Sequence, residues 1–178
     1  MKQVLLTEII KHKITQKYLK RSGVHHAVLT TERAVELAKQ SGVNINLAAK
    51  AALLHDIGHY EWYKDGKWDY QEYRKHDIHA IKGAERAHKL LVRLGEDPQT
   101  AKEISIAILL HTDSYLPFSI ENMRSPLHEV VYKADEMEEL PGGQHHYKYM
   151  SIEEAEIRLR QIDELLLKEL ETKPSISQ

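Results

Sequence analysis

Leu53–His59 reads LLHDIGH, and the reading of these seven residues decides the fold. They follow NLAAKAA at 46–52, which is almost wholly apolar. A helix without a polar face belongs in a protein interior. The inner end of this one nevertheless carries His55, Asp56 and His59. Burying an unpaired carboxylate costs several kcal/mol, so Asp56 has to be neutralised, paired, or bound to a cation. The dipeptide His55–Asp56 alone fits a plainer arrangement equally well. There Asp56 accepts backbone hydrogen bonds and His55 is a satisfied core histidine.

Outward from this stretch the chain reads as helices joined by short polar breaks. Val4, Leu5, Ile9, Ile10, Ile14, Tyr18 and Leu19 recur at helical spacing up to Gly23. Val28, Thr31, Val35 and Ala38 make the stripe of a second helix, which puts His25 nearer the core than His26. Asn46 is expected to cap the third helix, which breaks near Gly58. The stretch YEWYKDGKWDYQEYRK at 60–75 reads as a loop. Further helices fit His79–Leu94, Pro98–His111, Pro126–Glu139 and Ser151–Glu171, the last opening on the capping box SIEE. TKPSISQ is expected to be a disordered tail, taken from residue 173 onward. The expected fold is all-α: a compact single-domain bundle of six or seven helices over residues 1–172.

Composition narrows the function. The net charge of −2 gives no broad basic face for nucleic acid. The absence of cysteine excludes a disulfide framework, thiolate ligands and a cysteine nucleophile, and it fits a reducing cytoplasm. No apolar run approaches the roughly 18 to 20 residues that span a bilayer. The charged start MKQVLLTEIIKHK does not read as a signal peptide. Twelve histidines against one phenylalanine point instead to metal or phosphate chemistry.

The histidines and aspartates are placed in a suggestive order. His26 begins the second helix, and His55–Asp56 end the third. His79 opens HAIKGA, where Gly83 lies one turn later on the same face and lets another backbone approach. His111 closes a second helix that is apolar nearly all round, Ile104–Leu110, and Asp135 flanks an apolar face after VVYKA. Imidazole and carboxylate donors together suit iron, manganese, zinc, cobalt or nickel.

This ordered set resembles the HD-domain superfamily of metal-dependent phosphohydrolases over about residues 20–140. HAVLTTERAVELA is similar to its first helix, AALLHDIGH to its signature segment, HAIKGAERAHKLL to its His-x-x-x-Gly-Ala segment, and VVYKADEME to its closing aspartate. The family register selects His26 over His25. The resemblance implies one ion held by His26, His55, Asp56 and Asp135. It also implies a second held by His79 and His111, with Asp56 bridging. His59 stands where the branch that hydrolyses diadenosine tetraphosphate has a lysine. HDIGH is closer to the nucleotide triphosphohydrolase branch, whose chains are far longer.

The function this implies is hydrolysis of a phosphoester or phosphoanhydride in a small, nucleotide-like molecule. Asp56 would orient the nucleophile, and His59 would act as proton donor or phosphate contact. Lys82 and Lys133, with Arg21 and Arg124 behind them, would pair with phosphate. Each of these also fits an ordinary surface role. The aromatics Tyr60, Trp62, Tyr63, Trp68, Tyr70 and Tyr73 fit a lid or a base-stacking wall, and equally fit packing under a loop. His145 and His146 are expected in solvent. Two other readings stay open: a di-iron oxygenase of the same fold using the same six ligands, and a domain that binds metal without turnover. The expected partners are a small phosphorylated substrate and at most a second copy of the chain, with no nucleic acid and no membrane.

Overall fold

The segment Ile45–Leu54 (α4) is the hub about which the other helices are arranged. Its residues Ala48 to Leu54 are all buried, and four of these seven are alanines. Side chains this small let α3 (Val24–Ser41), α7 (Pro98–Leu109) and α8 (Pro126–Glu138) approach it closely. The computed structural model describes residues 3–61, 63–139 and 148–172. His145, His146, Trp62 and the 173–178 tail lie outside the described residues, as do the side chains of Tyr63 and Trp68.

The remaining helices are α1 (Leu6–Lys11), α2 (Lys13–Ser22), α5 (Tyr70–Lys75), α6 (His79–Leu94) and α9 (Ile152–Thr172). The all-α expectation holds. The described residues contain nine α-helices, two more than the spacing predicts, and both additions have local causes. His12 splits the first predicted helix: its extended backbone ends α1, and its Nδ1 accepts from the Ile14 N–H to start α2. The predicted loop at 60–75 is also structured. It contains a hairpin of β1 (Tyr63–Lys64) and β2 (Lys67–Trp68) around Asp65–Gly66, both at positive φ, and then α5, capped by Asp69. The third helix is capped by Asn44, whose side chain accepts from the Leu47 N–H, and not by Asn46. Of the adjacent pair, His26, which the family register selects, is 2% exposed, while His25, which the apolar stripe favours, is half-buried.

Two buried charges tie distant parts of the chain. Asp163 on α9 accepts from the backbone N–H groups of Leu6 (2.8 Å) and Thr7 (3.0 Å) and from the Thr7 hydroxyl (2.8 Å). It thereby supplies the cap that Leu5 cannot give α1. Lys50, wholly buried in α4, pairs with the buried Glu96 that follows α6.

Candidate metal centre

Four helix ends meet at one place, and the backbone explains how. Past Leu54 the chain tightens, with the N–H groups of Ile57 and His59 bonded to the carbonyls of Leu54 and Asp56, three residues back. Three residues per turn bring Asp56 and His59 to the same side. His59 Nε2 lies 3.2 Å from Asp56 Oδ1, so His59 aligns with Asp56 and not with His55, which a continued α-helix would have favoured.

The same turn is locked against α6. A Cβ added to Gly58 would lie 1.8 Å from the His79 carbonyl oxygen and 2.3 Å from the Gly83 nitrogen, so only glycine fits. This is the close approach that Gly83 predicted. It sets the His55–Asp56 turn beside the first turn of α6, which bears His79.

The six residues picked from the sequence come together here. His26 Nε2 lies 2.9 Å from Asp135 Oδ1 and 3.2 Å from His55 Nε2. His55 Nε2 lies 3.2 Å from Asp135 Oδ1 and 3.4 Å from Asp56 Oδ2. On the other side, His79 Nε2 and His111 Nε2 are 3.3 Å apart and lie 3.7 and 3.9 Å from Asp56 Oδ1. The two oxygens of one buried carboxylate thus face two groups of donors, which adjoin, since His55, Asp56 and His111 also place ligand atoms within 4.8 Å of one another. His59 adds a further nitrogen to the second group, as Asp56, His59 and His79 place ligand atoms within 4.8 Å of one another.

The outer nitrogens fix the tautomers. His55 Nδ1 and His111 Nδ1 each lie past a helix end and donate to the carbonyl three residues back, Ala52 (2.7 Å) and Ile108 (2.6 Å). These bonds occupy carbonyls of the last helical turns. His79 Nδ1 donates to Asp77 Oδ2 at 2.7 Å. With Nδ1 carrying the proton, each neutral ring turns its Nε2 lone pair inward.

This donor set fits a divalent transition ion. The Nε2 lone pairs of His79 and His111 face each other at 3.3 Å, an arrangement that needs a cation or an added proton between them. Burial, with the like charges of His55 and His79, pushes His111 down to about 3, which disfavours the proton there. Two donors each about 2.1 Å from one ion stand about 3.0 Å apart at a right angle and about 3.4 Å at the tetrahedral angle. The separations among His26, His55 and Asp135, and that of His55 from Asp56, lie close to that range, while His26 Nε2 stands farther from Asp56 Oδ2 at 3.9 Å. Burial opposes a charged His55, but the Asp56 and Asp135 carboxylates outweigh it and raise its pKa well above the ordinary value. Burial likewise opposes the charged carboxylates, and His55 chiefly holds both well below theirs. The pocket is built for positive charge.

The basic residues divide. Lys82, half-buried on α6 one turn past His79, lies 4.7 Å over the Tyr60 ring. Arg124 donates from Nε to the Leu110 carbonyl (2.8 Å), beside His111, and stacks on Tyr132. Arg21 faces Glu61 at 3.5 Å. Lys133 is not brought to the cluster: it pairs with Glu129 and shares a groove with Leu37 and Ser41, about three turns along α3 from His26. Two residues on a helix are about 200° apart, so Lys133 points away from the face that bears Asp135.

Among the aromatics, Tyr70 is half exposed and Tyr73 is 5% exposed. The Tyr73 hydroxyl meets His59 Nδ1, and the Tyr60 hydroxyl donates to the His76 carbonyl at 2.7 Å. Tyr73 is therefore a wall behind His59 and not a lid. The sequence reading passed over two residues, Asp77 and Arg86. The Arg86 guanidinium lies on the Tyr18 ring and donates to the Ile57 carbonyl, bracing the His55–Asp56 turn.

A helical bundle that directs imidazoles and carboxylates from five helices into one pocket defines a class of metal-binding domain. Residues 23–140 match the HD domain family, and the chain belongs to it. A Bacillus subtilis (strain 168) protein named "Putative phosphohydrolase YueE" is 57% identical over 166 residues, covering 93% of this chain and 94% of its own. The crystal structure of a predicted HD superfamily hydrolase from an uncultured Thermotogales bacterium shares the fold, with a TM-score of 0.53 and 24% identity over 93% of this chain and 91% of that one. The chain is a hydrolase of the HD class. No helix among the described residues is long and apolar enough to cross a membrane.

Proposed function

We propose that this protein is a metal-dependent phosphohydrolase that cleaves a phosphoester or phosphoanhydride bond in a small, nucleotide-like substrate. The observation that carries the reading is Asp56, with Oδ2 turned to His26 and His55, which both meet Asp135, and Oδ1 turned to His59, His79 and His111. His26, His55, Asp56 and Asp135 would hold one divalent ion, and Asp56, His79 and His111 a second. Bound there, such ions lower the pKa of water and draw charge from phosphoryl oxygens.

The chain's own groups supply the rest. Asp56 orients the attacking water between the two halves of the site. His59, hydrogen-bonded to Asp56 on one side and Tyr73 on the other, stands ready to protonate the leaving oxygen or to hold a phosphate oxygen. Lys82, half-buried one turn beyond His79, would pair with a substrate's outer phosphate. Lys133 has no part in this reading. The 57% identity to a protein named as a phosphohydrolase favours hydrolysis over oxygenase chemistry on the same ligands.

The test is a panel of phosphorylated metabolites assayed with Mn²⁺, Fe²⁺, Zn²⁺, Co²⁺ and Ni²⁺, with oxygen uptake followed in parallel. Metal-dependent release of phosphate or pyrophosphate that Asp56→Ala abolishes supports the proposal. Oxygen consumption without phosphate release would replace it.

A further inference from the structure

His79 differs from the other inward-facing histidines in its outer partner. His55 and His111 donate from Nδ1 to neutral backbone carbonyls, whereas His79 donates to a carboxylate. That carboxylate is Asp77, which is half-buried and grips His79 twice. Its Oδ1 accepts from the His79 backbone N–H at 2.8 Å, and its Oδ2 accepts from the ring at 2.7 Å. The first bond supplies α6 with the cap that Ile78 lacks. The second fixes the ring about its own axis. His59 then closes one face of the same ring, stacked at 4.2 Å and 9° from parallel. His79 is thus held at its edge and on its face, and its Nε2 has one direction left, toward Asp56 and His111.

We propose that Asp77 is the positioning residue of the second ion: it holds His79 in the Nδ1–H tautomer, aims its Nε2, and makes that nitrogen a stronger donor than a carbonyl partner would. Carboxylate–histidine–metal chains raise ligand basicity, and removing the outer carboxylate commonly weakens metal affinity about 10- to 100-fold. Behind His55 and His111 the outer partner is a backbone carbonyl, so the effect falls on the His79 nitrogen. The inference rests on the two-ion reading of the proposed function.

The test is calorimetric titration of the metal-free protein with Mn²⁺, with the electron paramagnetic resonance signal of the Mn²⁺ pair as a second readout. Two variants separate orientation from folding. Asp77→Ser retains an oxygen for the His79 N–H, so α6 keeps its cap, but has no second oxygen for the ring. Asp77→Asn retains the volume and removes the charge. In both, the first binding step is expected unchanged and the second weakened about 10- to 100-fold, with the pair signal appearing only at correspondingly higher Mn²⁺. Excess Mn²⁺ should restore kcat. Two steps in the wild-type chain with an unchanged second step in both variants would overturn the role of Asp77 alone. Equal weakening of both steps would also overturn it, showing a general loss of the site. A single step in the wild-type chain would overturn the two-ion reading and this inference with it.

Discussion

Gly58 and Gly83 pack backbone against backbone, and that contact fixes the distance between the two halves of the metal centre. A Cβ on Gly83 would lie 3.3 Å from the Gly58 nitrogen, the His55 carbonyl and Ile108 Cγ2, a tight but yielding fit. A Cβ on Gly58 would overlap backbone atoms that cannot give way. The two substitutions should therefore differ in cost. Gly83→Ala should cost about 1–3 kcal/mol, and Gly58→Ala more than that, because α6 must move. Urea midpoints of the metal-free proteins check this, and equal costs would contradict the packing argument.

Lys50 and Glu96 form an ion pair in the core, with Lys50 fully buried and Glu96 6% exposed. Removing one partner leaves the other charge stranded. Lys50→Met should destabilise by about 3–5 kcal/mol, and adding Glu96→Leu should recover most of the loss. A double variant no more stable than the single would mean that the pair is not what Lys50→Met disrupts.

Metal uptake should depend on pH with a definite sign. Asp56 and Asp135 raise the His55 pKa above 6.5 in the metal-free site, against the cost of burial and with His26 and His111 close by. The stability that this proton lends the metal-free fold is complete below the ordinary value and is lost as pH rises through the raised one. The same rise frees Nε2 for an ion. Apparent affinity for Zn²⁺ should therefore climb with pH above 6.5, with about one proton released per ion bound at the first site. Calorimetry in buffers of different ionisation enthalpy measures the release. Binding without proton release at pH 6.5 would mean that His55 is already neutral in the metal-free site, contrary to the pull of its two carboxylates.

His79 and His111 should separate one ion from two. His79→Ala and His111→Ala are each expected to lower metal content by one equivalent and to lower kcat strongly, each 1.4 kcal/mol being about tenfold in rate. Loss of a mere substrate contact would instead raise KM at full metal content. Near-normal kcat and full metal content in both variants would leave a one-ion enzyme.

Much of the fold and the site was legible in the sequence because helices advertise their buried faces. The period of α6 and α7 places His79 and His111 near helix ends, the apolar α4 places His55–Asp56 in the interior, and His26 is singled out over His25 by the family register alone. Features set by one or two residues against distant backbone were not legible. His12 divides the first helix by a side-chain bond to Ile14, which hydrophobic spacing cannot register. The Asp65–Gly66 turn is a readable hairpin signal, but the aromatic crowding around it hides the alternation that marks strands. The role of Asp77 depends on which ring nitrogen of His79 faces outward, which the sequence does not carry. Lys133 was drawn in by its nearness to Asp135 in sequence, although helical geometry turns it to the opposite face.

The central claim is that Asp56 joins two ion sites, and metal stoichiometry tests it most directly. Elemental analysis of protein purified anaerobically without chelator should find two transition-metal ions per chain. In Asp56→Ala that content should collapse, together with the thermal stabilisation by added Mn²⁺. Wild-type protein with one ion per chain or fewer, or Asp56→Ala with undiminished metal content, would contradict the account.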